Sequence, residues 1–454
     1  ITYILSLAIN YSPDEVSFIL IDYKGGGLAF AFENKTLGIE LPHLAGTITN
    51  LDKSEMNRTL VSINSEIKRR QKIFNDARDS LSESTIDIYK YKKFYREGKV
   101  TEPIPHLFII CDEFAELKSQ QPDFMDNLIS VARIGRSLGV HLILATQKPS
   151  GVVNDQIWSN TKFRVCLKVQ DESDSKEMLK RPEAASLKQV GRFYLQVGYN
   201  EYFALGQSAW CGAKYYPSDK PVKKINKSID FIDETGAVIK SMQASTNSKI
   251  EAQGEQLGQI LRLIVATAQI ANQKAKKLWQ ENIKEVIVES DLAQKYSFKP
   301  IPYNVEAIIG EYDAPEKQEQ GLVKYNLLQD GNTLIYGNNG AEREMFLDTL
   351  IYSTTKYHSV AEINYYIVDY GSESLKKYVN LPHVGGVVCI GEEEKFSNLL
   401  KMIKEEIRIR KKVFLNYGGD YTNYIKSSPN KLPIKVYIFN NYDSIYESNE
   451  SLYE

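Results

Sequence analysis

The 454-residue chain has no G-x-x-x-x-G-K-[S/T] string anywhere, so the full phosphate-cradling loop that such a string builds is not in it. It is also poor in the residues that make metal sites and disulfide frameworks. The four cysteines, Cys111, Cys166, Cys211 and Cys389, stand far apart with no C-x-x-C, and the five histidines are equally scattered. That spacing argues against zinc and disulfides and for buried free thiols in a reducing compartment. No apolar run approaches the roughly 18 residues a membrane-crossing helix needs. The start, "ITYILSLAI", lacks the basic lead of a signal peptide. Charge of one sign is missing too: 56 basic against 58 acidic residues leave a net charge of -2, so only a local patch would attract nucleic acid. What is present is ordinary for a soluble globular protein, 43% hydrophobic and 25% charged, with length enough for two or three domains. A chain that starts without Met inside an apolar helical pattern, and stops as abruptly at "ESNESLYE", reads as a fragment.

The chain contains itself twice. "PDEVSFILIDY" (13–23) resembles "VAEINYYIVDY" (360–370), "LPHLAG" (41–46) resembles "LPHVGG" (381–386), and "EIKRRQKIF" (66–74) resembles "EIRIRKKVF" (406–414). The last two pairs are displaced by 340 residues and the first by 347, which implies a seven-residue insertion in copy one, expected around "KGGG" (24–27). "HLFIICDEF" (106–114) matches "KVYIFNNYD" (435–443), displaced by 329. Preserved order makes this two homologous modules. Copy one alternates strands at 16–22, 107–111, 140–145, 163–169 and 192–197 with helices at 54–78, 123–138 and 174–180. Strands alternating with helices predict α/β modules with parallel sheets covered on both faces. The expected divisions are 1–217, a linker at 218–300 with a long helix over roughly 248–277, and 301–454. The helix would put Ile260, Leu261, Leu263, Ile264 and Ile270 on one side, packed on a neighbouring module.

Ligands of such sheets bind beyond the carboxyl ends of the strands. Asp22, Asp112, Glu113 and Gln147 all follow strand ends and should converge there. An apolar strand ending in Asp-Glu is the pattern in which nucleoside triphosphatases place a carboxylate that orients Mg²⁺ and its water, Asp112, and a carboxylate that polarises the attacking water, Glu113. Upstream of Asp348, which pairs with Ile1, stands "LIYGNNGAERE" (334–344), read as a strand, a glycine-rich turn and a helix start. The corresponding loop of copy one is expected some five to twelve residues before Ile1, outside the chain. In copy two Gly337 keeps the first glycine of the motif, while Glu342, Arg343 and Glu344 replace the second glycine, the lysine and the hydroxyl. Negative charge there opposes phosphate. At the displacement of 329, Asn441 and Tyr442 stand where Asp112 and Glu113 stand. Copy two is therefore expected not to hydrolyse nucleotide, with Gly337, Gly340 and Arg343 its remaining candidate contacts, because an arginine still pairs with phosphate.

The set "ILIDYKGGGLAF", "LPHLAGTITN", "EIKRRQKIF", "LFIICDEFAEL", "ARIGRSLGVHLILATQKP" and "GRFYLQVG" resembles the FtsK/SpoIIIE ATPase family, and the "DYKGGG" form with a degenerate second module resembles its EssC/EccC branch, the type VII secretion motors. The resemblance covers essentially the whole chain and implies tandem P-loop NTPase modules using ATP and Mg²⁺. It assigns Asp112 to the Mg²⁺ shell, Glu113 to water activation, and Gln147, with Thr146 beside it, to sensing the terminal phosphate. Arg164, in "SNTKFRV", matches an arginine finger acting in trans, which implies ring-like, hexameric assembly; Arg133 and Arg136 are rivals for that role. It further implies small helical secreted substrates docked by their C-terminal tails, other subunits of a secretion complex, no nucleic acid, and a transmembrane anchor upstream holding this part at the cytoplasmic face of the membrane.

Blander readings stand beside these. Asp22 and Lys24 are nucleotide-contact candidates, yet Gly25 to Gly27 are explained by a tight turn. His43 and His383, each in "PH", read as turn anchors. The basic runs at 68–72 and 408–412 read as solvated helix faces. Two other functions fit the same motifs: a DNA translocase, the other branch of the family, which would show strongly salt-dependent duplex binding, and a scaffold that binds nucleotide without turning it over.

Overall fold

The structure, a computed structural model, describes residues 1–22, 27–34, 38–49, 53–147, 153, 155–198, 201–217, 228–243, 252–280, 282–338 and 340–448. The chain forms two compact units, Ile1–Gln280 with Pro315–Gln318, and Glu281–Ala314 with Glu319–Glu454.

The first unit is built on a parallel sheet whose spatial order is Leu44–Ile48, Val16–Asp22, His106–Asp112, Val140–Leu144. All seven residues of Val16–Asp22 are buried, as expected of a strand covered on both faces. Alternate side chains enter two different cores. Ile19 and Ile21 meet Ile63 and Ile67 of the helix Lys53–Ser80 and Leu128 of the helix Pro122–Gly135. Val16, Phe18 and Leu20 face Ile4, Leu5 and Ala8 of the helix Thr2–Asn10. At roughly 1.5–3 kcal/mol for each large apolar side chain buried, this one strand supplies a substantial part of the unit's stability.

The second unit repeats the plan in the order Val384–Cys389, Ile363–Asp369, Ile434–Asn440, again parallel. Ile363, Tyr365 and Ile367 face Leu347 and Ile351 of the helix Gly340–Tyr357, while Val368 faces Phe396 and Leu399 of the helix Glu393–Leu415. An antiparallel pair, Glu306–Ala314 with Glu319–Asn326, precedes these elements.

Several expectations need correction. Phe163–Leu167 and Arg192–Val197 do not extend the parallel sheet; with Tyr202–Gln207 they form a separate antiparallel sheet, the first and last strands flanking the second. The helix expected over 248–277 spans Gln256–Ala271, with 248–251 outside the described residues. Leu261 and Ile264 are buried in the core that contains Phe18 and Leu20, with Ile260 packed against it. Leu263 and Ile270 are 68% and 89% exposed, so they lie off that face. The same stretch continues along the first unit, where Ala275 N–H donates to Pro42 O at 2.8 Å and Leu278 N–H to Ala45 O at 2.9 Å. Much of the region expected to link two modules thus packs on the first, because its apolar face is the cover for one side of that sheet. No helix among the described residues is long and apolar enough to cross a membrane.

The basic runs are also not uniformly solvated. Arg70, 1% exposed, donates through Nε to Glu66 Oε1 at 2.8 Å and through Nη1 to the carbonyls of Pro105 (2.8 Å) and Leu138 (2.9 Å). Arg410 does the same with Glu406 Oε1 (2.6 Å) and Pro433 O (2.8 Å). These arginines tie a long helix to the chain entering the adjacent strand. His43 and His383 hold turns, as expected: each Nε2 lies 2.8 Å from a backbone carbonyl, Tyr11 O and His358 O respectively.

Candidate active site

The strand His106–Asp112 runs beside Val16–Asp22 in a register that sets Asp22 opposite Asp112 at the carboxyl end of the sheet. Asp22 is 2% exposed and accepts from the N–H groups of Leu28 (2.6 Å) and Ala29 (3.2 Å), the first turn of the helix Gly27–Phe32. It thereby caps the first turn of that helix. Asp112 is exposed, and its carboxyl is pushed above the ordinary range, first by partial burial and then by the charge of Asp22. Two carboxylates held side by side in this way are what a divalent cation relieves. Among the described residues no three His, Cys, Asp or Glu side chains cluster as a metal cage. Mg²⁺ needs only one or two protein carboxylates beside its water and phosphate ligands, and the exposed Asp112 offers one.

Glu113 follows in the left-handed region, φ 53°, ψ 53°, an unfavourable conformation for a side chain of this type. Two backbone bonds impose it: Ala145 N–H donates to Cys111 O and Phe114 N–H donates to Ala145 O, both at 2.9 Å. The turn brings the carboxylate of Glu113, a residue only 6% exposed, to the end of Val140–Leu144. There Oε1 accepts from Thr146 Oγ1 at 2.7 Å and from Gln147 N–H at 3.3 Å. Asp22, Asp112, Glu113, Thr146 and Gln147 are therefore brought together at one sheet edge. The bond from Thr146 to Glu113 was not legible in the sequence, because it depends on the left-handed turn.

Lys24 lies outside the described residues. Arg164 is elsewhere, in the antiparallel sheet, with its guanidinium carbon 4.7 Å from the centre of the Trp158 ring and Nη1 donating to Met178 O at 3.4 Å. Arg133 and Arg136 are exposed.

The second unit carries the same scaffold with different chemistry. Asp369 accepts from Leu375 N–H at 3.1 Å, the counterpart of the Asp22 bond to Leu28. That equivalence keeps the displacement of 347 past the "KGGG" stretch, so the extra residues of copy one fall later. They coincide with the small hairpin of Glu33–Asn34 and Ile39–Glu40, which pair antiparallel. The acidic strand needs a correction of one residue. Asp369 is opposite Asn440, as Asp22 is opposite Asp112. Asn441 is left-handed at φ 61°, as Glu113 is at φ 53°. The helices Tyr442–Ser448 and Phe114–Gln120 begin at the next residue. The displacement is 328, and the carboxylates Asp112 and Glu113 are replaced by the amides Asn440 and Asn441, not by Asn441 and Tyr442. Asn440 Nδ2 donates to Asp369 Oδ1 at 2.8 Å, a neutral partner where the first unit has a second charge.

The glycine-rich turn of this unit is altered as well. Leu334 and Tyr336 are 87% and 91% exposed and form no strand, contrary to expectation, although Ile335 packs on the core. Arg343 folds back so that its guanidinium donates to Gly337 O, with Nη2 3.6 Å from where a Cβ on Gly340 would lie. Glu344 accepts from Ser372 Oγ at 2.5 Å. Gly337, Gly340 and Arg343 thus do come together, with the arginine turned onto its own loop.

Two parallel α/β units, each with its polar residues gathered beyond the strand ends and one with an Asp-Glu pair there, define the chain as a tandem nucleoside-triphosphatase-like protein. The FtsK/SpoIIIE family model matches residues 2–151 and 298–437, and the chain belongs to that family. It is 40% identical over 456 residues to the type VII secretion system protein EssC of Staphylococcus aureus strain Mu50, covering 98% of this chain and 30% of that protein. It is 40% identical over 453 residues to the ESX secretion system protein EccC of Geobacillus thermodenitrificans, covering 98% of this chain and 29% of that one. The chain therefore spans under a third of the length of these relatives. In fold it is similar to the cytoplasmic domain of the Thermomonospora curvata type VII secretion ATPase EccC, with a TM-score of 0.68 at 22% identity over 99% of this chain and 49% of that one. It is also similar to ATPases 2 and 3 of EssC from Geobacillus thermodenitrificans, with a TM-score of 0.62 at 16% identity over 97% and 76%.

Proposed function

We propose that this chain is part of the motor of a type VII secretion ATPase, with ATP hydrolysis in the first unit and a regulatory, substrate-binding second unit. The observation that carries the reading is the pair of matched sheet ends: Asp112 and Glu113 in one unit, Asn440 and Asn441 at the same register in the other. In the first unit Asp112 would hold the water shell of Mg²⁺, which when bound offsets phosphate charge. Glu113 would take the proton of the attacking water, and Gln147 would orient the terminal phosphate. Arg164 would act from a neighbouring subunit of a ring assembly. Its guanidinium lies over Trp158 and donates to Met178 O, contacts that hold it in the antiparallel sheet. In the second unit two amides cannot supply a metal's counter-charge or a base. Arg343 and the Gly337–Gly340 turn would hold at most a phosphate group without turnover. The partners are small helical secreted proteins read by their C-terminal tails in an apolar groove, with the upstream part of the protein anchoring it at the cytoplasmic face of the membrane.

The test uses the chain extended to the length of its relatives. Glu113→Gln should lower ATP turnover by about 10²–10⁴-fold with nucleotide binding retained. Labelled tail peptides from helical secreted proteins should bind saturably and lose binding when the second unit is deleted. Duplex DNA run in parallel at two salt concentrations should bind weakly and release at the higher one. Tight duplex binding with no peptide response would make the chain a DNA translocase. Nucleotide binding with no turnover, with or without Glu113→Gln, would make it a scaffold.

A further inference from the structure

We propose that Thr146 is a positioning residue that holds Glu113 in a resting conformation and so limits turnover in the first unit; the inference rests on the hydrolytic reading of Glu113. Three observations carry it. The base candidate is 6% exposed, whereas Asp112 beside it is open to solvent. One carboxylate oxygen, Oε1, receives two donors from the end of the next strand, the Thr146 hydroxyl at 2.7 Å and the Gln147 N–H at 3.3 Å. The backbone at Glu113 is left-handed, at φ 53°, so the side chain is delivered to that strand by a turn the neighbouring backbone bonds enforce.

Two donors on one oxygen fix the orientation of the carboxylate and occupy lone pairs that would otherwise meet water. Burial also denies a water molecule the approach that proton transfer needs. The same contacts that order Glu113 therefore keep it from acting. Thr146 and Gln147 belong to the strand end that the family resemblance assigns to sensing the terminal phosphate. A change in what those two donors bind changes the freedom of Glu113, which gives a direct connection between nucleotide state and base. In the second unit Asn441 sits in the same left-handed turn, and its Nδ2 donates to Tyr370 O at 3.1 Å and Ser444 Oγ at 2.7 Å.

The experiment measures kcat and KM for ATP at one pH for the extended protein, its Thr146→Val variant, which keeps size and loses the hydroxyl, and Thr146→Ser, which keeps the donor. Thr146→Val should raise kcat without added secretion substrate by about three- to tenfold, with KM changed far less. Thr146→Ser should restore the wild-type kcat. A Thr146→Val variant whose kcat is equal or lower overturns the restraint while leaving the hydrolytic role of Glu113 standing. Turnover that Glu113→Gln fails to abolish overturns both. Circular dichroism of each variant separates these outcomes from loss of fold.

Discussion

Replacing Asp112 by Asn should make the first unit more stable at neutral pH while removing its candidate metal carboxylate. The two carboxylates sit on neighbouring strands in direct register, and adjacent strands lie about 5 Å apart. Two unit charges at that separation repel by about 0.8 kcal/mol in water and about 3 kcal/mol at an effective dielectric of 20. Asp112 is exposed, so the lower figure governs. An amide there gains a donor toward Asp22, as Asn440 has toward Asp369. The expected gain is about 1 kcal/mol, or roughly 2–4 °C for a unit of this size. The sign with pH follows from the raised carboxyl of Asp112. Its destabilising effect is absent below the ordinary carboxylate range near pH 4 and grows as pH rises through the folded-state value. The advantage of Asp112→Asn should therefore be full at pH 7–8 and vanish near pH 4, and millimolar Mg²⁺ should stabilise the wild type more than the variant. Calorimetry across this range decides it. A variant no more stable than wild type at pH 8, or a gap unchanged at pH 4, would show that the charge of Asp112, through its partial burial and its nearness to Asp22, costs the fold nothing.

The reverse change, Asn440→Asp, should destabilise the second unit by about 2–4 kcal/mol at pH 7, because Asp369 is fully buried and loses a donor to gain a like charge; urea titration should show the penalty shrinking toward pH 4. Arg70→Met should cost about 3–5 kcal/mol by leaving the buried Glu66 short of a partner, and the Glu66→Gln, Arg70→Met pair should recover part of it in the same assay. Glu66, held down to about pKa 2, also predicts that wild-type stability falls as pH drops from about 4.5 toward 2. Gly46→Ala should cost about 1–3 kcal/mol and shift tryptophan emission, because its Cβ would stand 2.3 Å from Trp279 Cζ2 and the indole must move.

What the sequence showed well was whatever a period or a repeat could carry. The strands at 16–22 and 192–197 were placed to the residue, since their apolar runs are bounded by turn signals and need no partner to be recognised. What it misplaced depends on partners. Nothing in Phe163–Leu167 distinguishes a strand of the parallel sheet from one that pairs antiparallel with Arg192–Val197. Arg70 looks like one more cation in "KRRQK" until the carbonyls of Pro105 and Leu138 are seen to meet it. Leu263 and Ile270 count as apolar in a helical pattern, but the burial of Leu261, Ile264 and Ala268 fixes the face and leaves them in solvent. The acidic strand was aligned one residue off because "CDEF" and "NNYD" share no residue at matched positions. Only the strand register and the left-handed residue give the true correspondence.

The two units also serve as controls for one another. The contacts they share lie at the scaffold: a histidine on a backbone carbonyl, a glutamate–arginine pair reaching a proline carbonyl, and an aspartate accepting from the leucine six residues on. Each recurs with the same partners, so none requires nucleotide chemistry to explain it. This bears on Asp22, a candidate nucleotide contact by position. Its counterpart Asp369 makes the same backbone bond in a unit whose other carboxylates have become amides, so the bond serves the helical turn that follows the strand, whatever the ligand. Asp112 and Glu113 behave in the opposite way. The second unit keeps their backbone geometry and replaces only their charge, which is the substitution expected where a fold is retained and a reaction is given up.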